Sequence, residues 1–227
     1  MKFNAVVFDM DGVMFDTESV CMKAWDTVGE EMGIGKAGYM VYKTLGMTAE
    51  SAIKVLQNEF GVDFDARLFK QKGREFSYKY FDEFGVPEKP FLHETLNYLK
   101  NKGYKLAVAS STSSDSVFHH LNEKNITAYF DKVICGDMIK NSKPAPDIYL
   151  KACEELGENP ANCIAIEDSK NGILSAKNAD MNVIMIPDLW HGDDDTDKLL
   201  FAKLKSLGEI NTCLLYTSPS PRDTERS

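Results

Sequence analysis

Two different periodicities run along the chain. Residues 5–8 are a short continuous apolar run, Ala5, Val6, Val7 and Phe8, as suits a strand buried on both faces. From about residue 17 to residue 84 the apolar positions recur at helical spacing. Val20, Cys21, Ala24, Trp25, Val28 and Met32 make a first stripe. Ala52, Ile53, Leu56 and Phe60 predict a second helix over 49–60, and Phe69, Phe76, Tyr80 and Phe84 a third over 66–84. No strand pattern interrupts this stretch, so it reads as an all-helical insert.

Beyond Pro87 and Pro90 the two periods alternate. Leu92, Leu96 and Leu99 form a helical stripe, and strand runs follow at 105–110, 132–135, 163–166 and 182–186. Between them, helices are predicted over 116–124, over the stretch carrying Tyr149, Ala152, Cys153 and Leu156, and around Ile173, Leu174 and Ala176. Pro146 suits the first helical position of the middle one and Gly157 its stop. Alternation without hairpin signals implies a parallel sheet with helices on both faces, five strands in all.

Ligands of such sheets bind at the carboxyl ends of the strands. Asp9 and Asp11, with Gly12 allowing a turn, follow the first strand. Ser110, Ser111 and Thr112 follow the second, and Lys143 lies in the loop after the third. Glu167 and Asp168 follow the fourth. Carboxylates about 4 Å apart repel by roughly 4 kcal/mol at an effective dielectric near 20. Brought to one rim, these four would demand a cation, and oxygen ligands without His or Cys point to Mg²⁺. Lys143 and Ser110 add donors for an anion, so the set suits phosphate. Asp9 is placed to act as a nucleophile and Asp11 as a general acid and base.

Composition narrows the partners. The 227 residues are 43% hydrophobic and 27% charged, as in ordinary globular proteins. A net charge of −9 argues against nonspecific nucleic-acid binding. No apolar run approaches the roughly 20 residues that span a bilayer, and the first residues carry no leader pattern. A cytoplasmic monomer acting on a small phosphorylated metabolite, without nucleic-acid or membrane partners, is expected. The five cysteines are scattered, and Cys135, Cys153 and Cys163 read as small core residues rather than zinc ligands. His93, His119, His120 and His191 fall outside the motifs and read as surface or core residues. The run Asp193, Asp194, Asp195 reads as a solvated loop.

In that order, Asp9-Met10-Asp11-Gly12-Val13, Ser110-Ser111-Thr112, Lys143-Pro144-Ala145-Pro146-Asp147 and Glu167-Asp168-Ser169 resemble the four motifs of the haloacid dehalogenase superfamily. The similarity covers about residues 3–190 and is strongest to the branch of beta-phosphoglucomutase and small sugar-phosphate phosphatases. It implies a Rossmann-like parallel sheet core (1–15 and 89–212) with an inserted helical cap (16–88). It also implies an Mg²⁺ site of Asp9, Asp11 through its backbone carbonyl, Glu167 and Asp168. Phosphate would be held by Ser110, Ser111 and Lys143, and the reaction would pass through an aspartyl-phosphate on Asp9. Asp11 fits phosphoryl transfer and argues against dehalogenation. Cap closure would exclude water during the reaction.

Within that branch a mutase carries a cap histidine and a cap arginine, and the matching positions here are Cys21 and Ala49. Both departures favour a phosphatase over a phosphosugar mutase. Lys43 or Lys54 could substitute for the missing charge, but both read as solvated. Met47 and Thr48 are expected to face the substrate from the cap. A non-catalytic binding protein on the same fold is the remaining alternative, disfavoured because Asp9, Asp11, Ser110, Lys143 and Asp168 are all present. Residues 213–223 resemble the translation of a transposon-end sequencing adapter, so 213–227 is expected to be a disordered, non-native tail.

Overall fold

The computed structural model describes residues 3–45, 47 and 49–215. It divides into two compact units, one of residues 3–14 with 89–215, the other of residues 15–88.

The first unit holds a six-stranded, wholly parallel sheet. Strand β1 (Ala5–Phe8) opens it. The helices of the second unit come next, namely α1 (Thr17–Glu31), α2 (Met40–Thr44), α3 (Ala49–Phe60) and α4 (Ala66–Phe84). The chain then re-enters the first unit with α5 (Leu92–Asn101), β2 (Lys105–Ala109), α6 (Ser114–Glu123) and β3 (Lys132–Ile134). It continues through α7 (Asp147–Leu156), β4 (Cys163–Glu167), α8 (Lys170–Asn178) and β5 (Asn182–Met185). A short helix α9 (Asp194–Asp197), strand β6 (Ala202–Lys203) and helix α10 (Ile210–Leu215) complete it.

The strand order is β3-β2-β1-β4-β5-β6. From β1 the chain builds outward through β2 and β3, then returns to lay β4 against the other side of β1. That reversal is the switch point at which open α/β sheets bind ligands. Strand side chains alternate between faces. On one face Ala5, Val7, Ala107, Ala109, Cys163 and Ala165 are mostly small and pack with Tyr149, Ala152 and Cys153 of α7 and Ile173 and Ala176 of α8. The intervening residues, Val6, Phe8, Leu106, Val108, Ile164 and Ile166, are larger and equally buried.

The expected parallel sheet is observed, with one more strand than the pattern predicts. Strand β6 has only two residues, neither fully buried, so no apolar run announces it. The acidic run is likewise more ordered than a solvated loop. Asp193 caps α9 by accepting from the Thr196 N–H at 2.9 Å, while Thr196 Oγ1 accepts from the Asp193 N–H in return. The disorder expected from residue 213 does not begin there. Helix α10 runs through Leu215, and Leu214 is buried, because its apolar side chain continues the face begun by Ile210. Residues 216–227 lie outside the described residues.

In the second unit, α1 and α4 are held by an aromatic cluster. The Phe69 ring lies 5.2 Å from Trp25 and 5.5 Å from Phe64, centroid to centroid, and is fully buried. Asp65 caps α4 by accepting from the Leu68 N–H at 3.0 Å. Lys43 pairs with Glu59 at 2.7 Å and lies over the Tyr39 ring, while Lys54 is exposed. Cys21 is half-buried and Met47 exposed. Gly46 and Thr48 lie outside the described residues, as does the side chain of Ala49. No described helix is long and apolar enough to cross a membrane.

Phe69→Ala removes the centre of the aromatic cluster. It is expected to cost about 3–5 kcal/mol, read as a lower urea midpoint by tryptophan fluorescence. A midpoint within error of the wild type would contradict this account of the unit.

Candidate active site

Strand register brings the acidic residues together. Phe8 pairs with Ile166, and the Asp9 N–H donates to the Ile166 carbonyl at 2.9 Å. The next residues along, Asp9 and Glu167, therefore emerge side by side at the carboxyl ends of β1 and β4. Phe8 also pairs with Val108, which places Ser110 just beyond the end of the neighbouring strand β2.

Lys143 occupies the centre of this rim. Its ammonium donates to Asp9 Oδ1 and to Glu167 Oε1, both at 2.6 Å. Lysine is 5% exposed here, Asp9 7% and Glu167 0%. A buried ammonium demands such partners. Burial alone would depress its pKa, but the two carboxylates outweigh that and raise it well above the ordinary lysine value. Asp9 moves the other way from most paired carboxylates. Burial pushes it up to about 8, against the pull of Lys143 and reinforced by the Glu167 and Asp11 carboxylates.

Glu167 is held at both oxygens. Oε1 also accepts from the Tyr149 hydroxyl at 2.6 Å. Oε2 accepts from the Asp168 N–H, the Ser169 N–H and the Ser169 hydroxyl at 3.2–3.4 Å. A Cβ on Gly172 would lie 2.0 Å from the Glu167 carboxylate, so only glycine leaves room for it in the first turn of α8.

Asp11 is half-buried and turned toward the loop after β2. Its Oδ2 accepts from Thr112 Oγ1 at 2.8 Å and from Ser110 Oγ at 3.4 Å. Ser110 is fully buried, and its hydroxyl also receives the Thr112 N–H at 3.1 Å. Ser111 is exposed. Gly12 has φ +80° and lies against Asp168: a Cβ there would approach Asp168 Oδ2 to 2.2 Å. The same point lies 3.3 Å from Oδ2 of Asp188, which is buried without a hydrogen-bond partner. The other oxygen of Asp188 accepts from Lys89.

Ligand atoms of Asp9, Glu167 and Asp168 lie within 4.8 Å of one another. All are carboxylate oxygens, the donors a hard divalent cation takes. Together with the unpartnered Asp188 oxygen nearby, this donor set fits a hard divalent cation, with Glu167 lending charge rather than a ligand oxygen, since five protein donors already occupy its carboxylate. Asp11 enters the group with no carboxylate oxygen, and what it could offer is its backbone carbonyl. On α6, His119, His120 and Glu123 form a separate group of donor atoms of similar spread, two of the three residues exposed.

The rim thus gathers Asp9, Ser110, Lys143, Glu167 and Asp168, with Asp11 at its edge. Sequence reasoning missed Thr112 as a partner of Asp11, Tyr149 as a partner of Glu167, and Lys89 and Asp188. The pattern places Tyr149 on the buried face of its helix, which is correct, but periodicity carries no sign of where a hydroxyl points. Asp188 follows a strand end, the one signal that could have singled it out.

The chain matches the family described as haloacid dehalogenase-like hydrolase over residues 6–186. It is 34% identical, over 77% of its length and 81% of the relative's, to a protein of Thermotoga maritima named phosphorylated carbohydrates phosphatase. It is 30% identical, over 93% and 95%, to a Bacillus subtilis protein, YhcW, assigned as a phosphatase. Among solved structures, one assigned as a beta-phosphoglucomutase of Thermotoga maritima superposes with a TM-score of 0.76 at 29% identity, covering 95% of this chain and 99% of that one. With the motif residues gathered at the switch point of a parallel sheet, the match over most of the chain establishes that this protein belongs to the haloacid dehalogenase-like hydrolases.

Proposed function

We propose that the protein is an Mg²⁺-dependent phosphatase of a small phosphorylated metabolite, a sugar or polyol phosphate, acting through an aspartyl-phosphate on Asp9. The observation that carries this reading is the Lys143 ammonium, buried 2.6 Å from both Asp9 and Glu167. A cation bonded to a candidate nucleophile is placed to bind the phosphoryl oxygens that the nucleophile attacks. The phosphorylated-carbohydrate relative supports the substrate class.

An oxygen of Asp9 attacks phosphorus while the bond to the leaving alcohol breaks. Lys143 and the Ser110 hydroxyl hold phosphoryl oxygens as charge accumulates. Asp11, steadied by Thr112, gives its proton to the leaving oxygen. In the second half a water attacks the aspartyl-phosphate, Asp11 takes its proton, and Asp9 is released with inorganic phosphate. Asp9 and Asp168, with the Asp11 carbonyl, would hold Mg²⁺, which supplies charge neutralisation at the phosphoryl group.

A mutase would pass the phosphoryl group to a second sugar hydroxyl rather than to water, and the similarity to the solved structure assigned as a mutase supports that second reading. By the resemblance, Cys21 and Ala49 fall where a mutase carries its cap histidine and arginine, and they favour the hydrolase. Phosphate release across a panel of sugar, polyol and nucleotide phosphates distinguishes the two. The hydrolase requires release that depends on Mg²⁺ and stops with EDTA. Asp9→Asn is expected to lower it at least about a thousandfold. Isomerisation of glucose 1-phosphate without release would decide for the mutase, and near-normal release by Asp9→Asn would refute the nucleophile.

A pH dependence follows from Asp9. Its folded pKa, about 8, exceeds the ordinary carboxylate value, so the folded protein without metal binds a proton there that the unfolded chain does not. Stability without metal is therefore expected to decline as pH rises from about 4 to about 8. Mg²⁺ competes with that proton. Its affinity should rise about tenfold per pH unit below pH 8 and level off above it. Calorimetric titration in two buffers of different ionisation enthalpy would read the released proton, and a flat affinity from pH 6 to 8 would contradict the assignment.

A further inference from the structure

Tyr149 is fully buried, and burial together with the Glu167 and Asp9 carboxylates holds its phenol well above the ordinary tyrosine pKa, so it remains a donor. Its hydroxyl and the Lys143 ammonium donate to the same oxygen of Glu167, each at 2.6 Å. The ammonium also lies 5.1 Å from the centroid of the Tyr149 ring. Counting the three donors on the other oxygen, five donors from the protein converge on one carboxylate. A carboxylate has about four lone-pair sites, so Glu167 is saturated from within. It acts through what it holds, and what it holds at the rim is Lys143.

Core packing does not explain the hydroxyl. Phenylalanine would fill the same space beside Ile148 and Ala152 without a buried polar group to satisfy. The ring face and the Glu167 oxygen instead bound the ammonium on two sides, with Asp9 on a third. We propose that Tyr149 is a positioning residue for phosphoryl transfer: its hydroxyl fixes Glu167, and through Glu167 and its own ring it sets where the Lys143 ammonium meets the phosphoryl group. The inference rests on reading this site as a phosphatase.

The test compares the wild type, Tyr149→Phe, Glu167→Gln and the double variant by orthovanadate inhibition in saturating Mg²⁺, with circular dichroism to verify folding. Vanadate mimics the five-coordinate phosphorus, so its inhibition constant reports the placement of Lys143 per folded site. Tyr149→Phe is expected to weaken vanadate about tenfold, the range seen when a partner behind a ligand is removed. It should have little further effect once Glu167 is Gln, because its action passes through that carboxylate. A merely structural hydrogen bond would lower the folded fraction, and hence kcat, and leave the inhibition constant unchanged. A constant within twofold of the wild type, or additive effects in the double variant, would overturn the inference. A wild-type protein that neither releases phosphate nor binds vanadate would overturn the phosphatase reading, and this inference with it.

Discussion

The structure depends on one buried ammonium. Lys143 is the only cation bonded to the Asp9 and Glu167 carboxylates among the described residues, and both contacts are 2.6 Å. A lysine this deeply buried is tolerated only because those carboxylates are there, and they are tolerated together only because it is. The balance is incomplete. With all three ionised, Asp9, Glu167 and Asp168 would set three negative charges against one positive charge, which leaves two. Without metal, burial above all, with the Glu167 and Asp11 carboxylates adding to it, pushes Asp9 up to about 8 against the pull of Lys143, so a proton takes up part of that missing charge. On the proposed reading, a divalent cation supplies the missing two charges and frees Asp9 as a nucleophile.

That arrangement is built by strand register and by two positions where a side chain would not fit. Parallel pairing of β1 with β4 delivers Asp9 and Glu167 to one edge from 158 residues apart, as the register Phe8 to Ile166 shows. Gly12 then lets the chain turn against Asp168, and Gly172 admits the Glu167 carboxylate to the start of α8. Neither glycine offers a chemical group. Each makes space for one, which is why both matter to a site they do not enter.

Much of this was legible in the chain. The switch from helical period to alternation, and the placing of Asp9, Ser110, Lys143 and Glu167 after strands, predicts the parallel sheet and the convergence of those residues at one rim. The boundaries of α3 and α4 coincide with those predicted from the apolar stripes. What stayed hidden has a common physical character. Strand β6 is too short to show a period. Thr112, Tyr149 and Asp188 matter through the direction of one polar atom, and periodicity reports which face a residue occupies rather than where its hydroxyl or carboxylate points. The three-residue overrun of α10 past Thr212 has a different origin: the expected disorder rested on the resemblance to an adapter and on the Ser- and Pro-rich residues further on, while Cys213, Leu214 and Leu215 are apolar and Leu214 is buried.

The two carboxylates of the opening motif illustrate how position separates environments that sequence writes alike. Asp9 and Asp11 are identical groups two positions apart. Asp9 is buried and bonded to the ammonium. Asp11 is half-buried and held by hydroxyls, at 2.8 Å from Thr112 and 3.4 Å from Ser110. A hydroxyl can donate or accept, so such contacts suit a group that both gives and takes a proton. An acid–base group must pass through both protonation states in each turnover, and a nucleophile must remain where it is. On the proposed reading, placing the ammonium on the first aspartate and the hydroxyls on the second suits both roles.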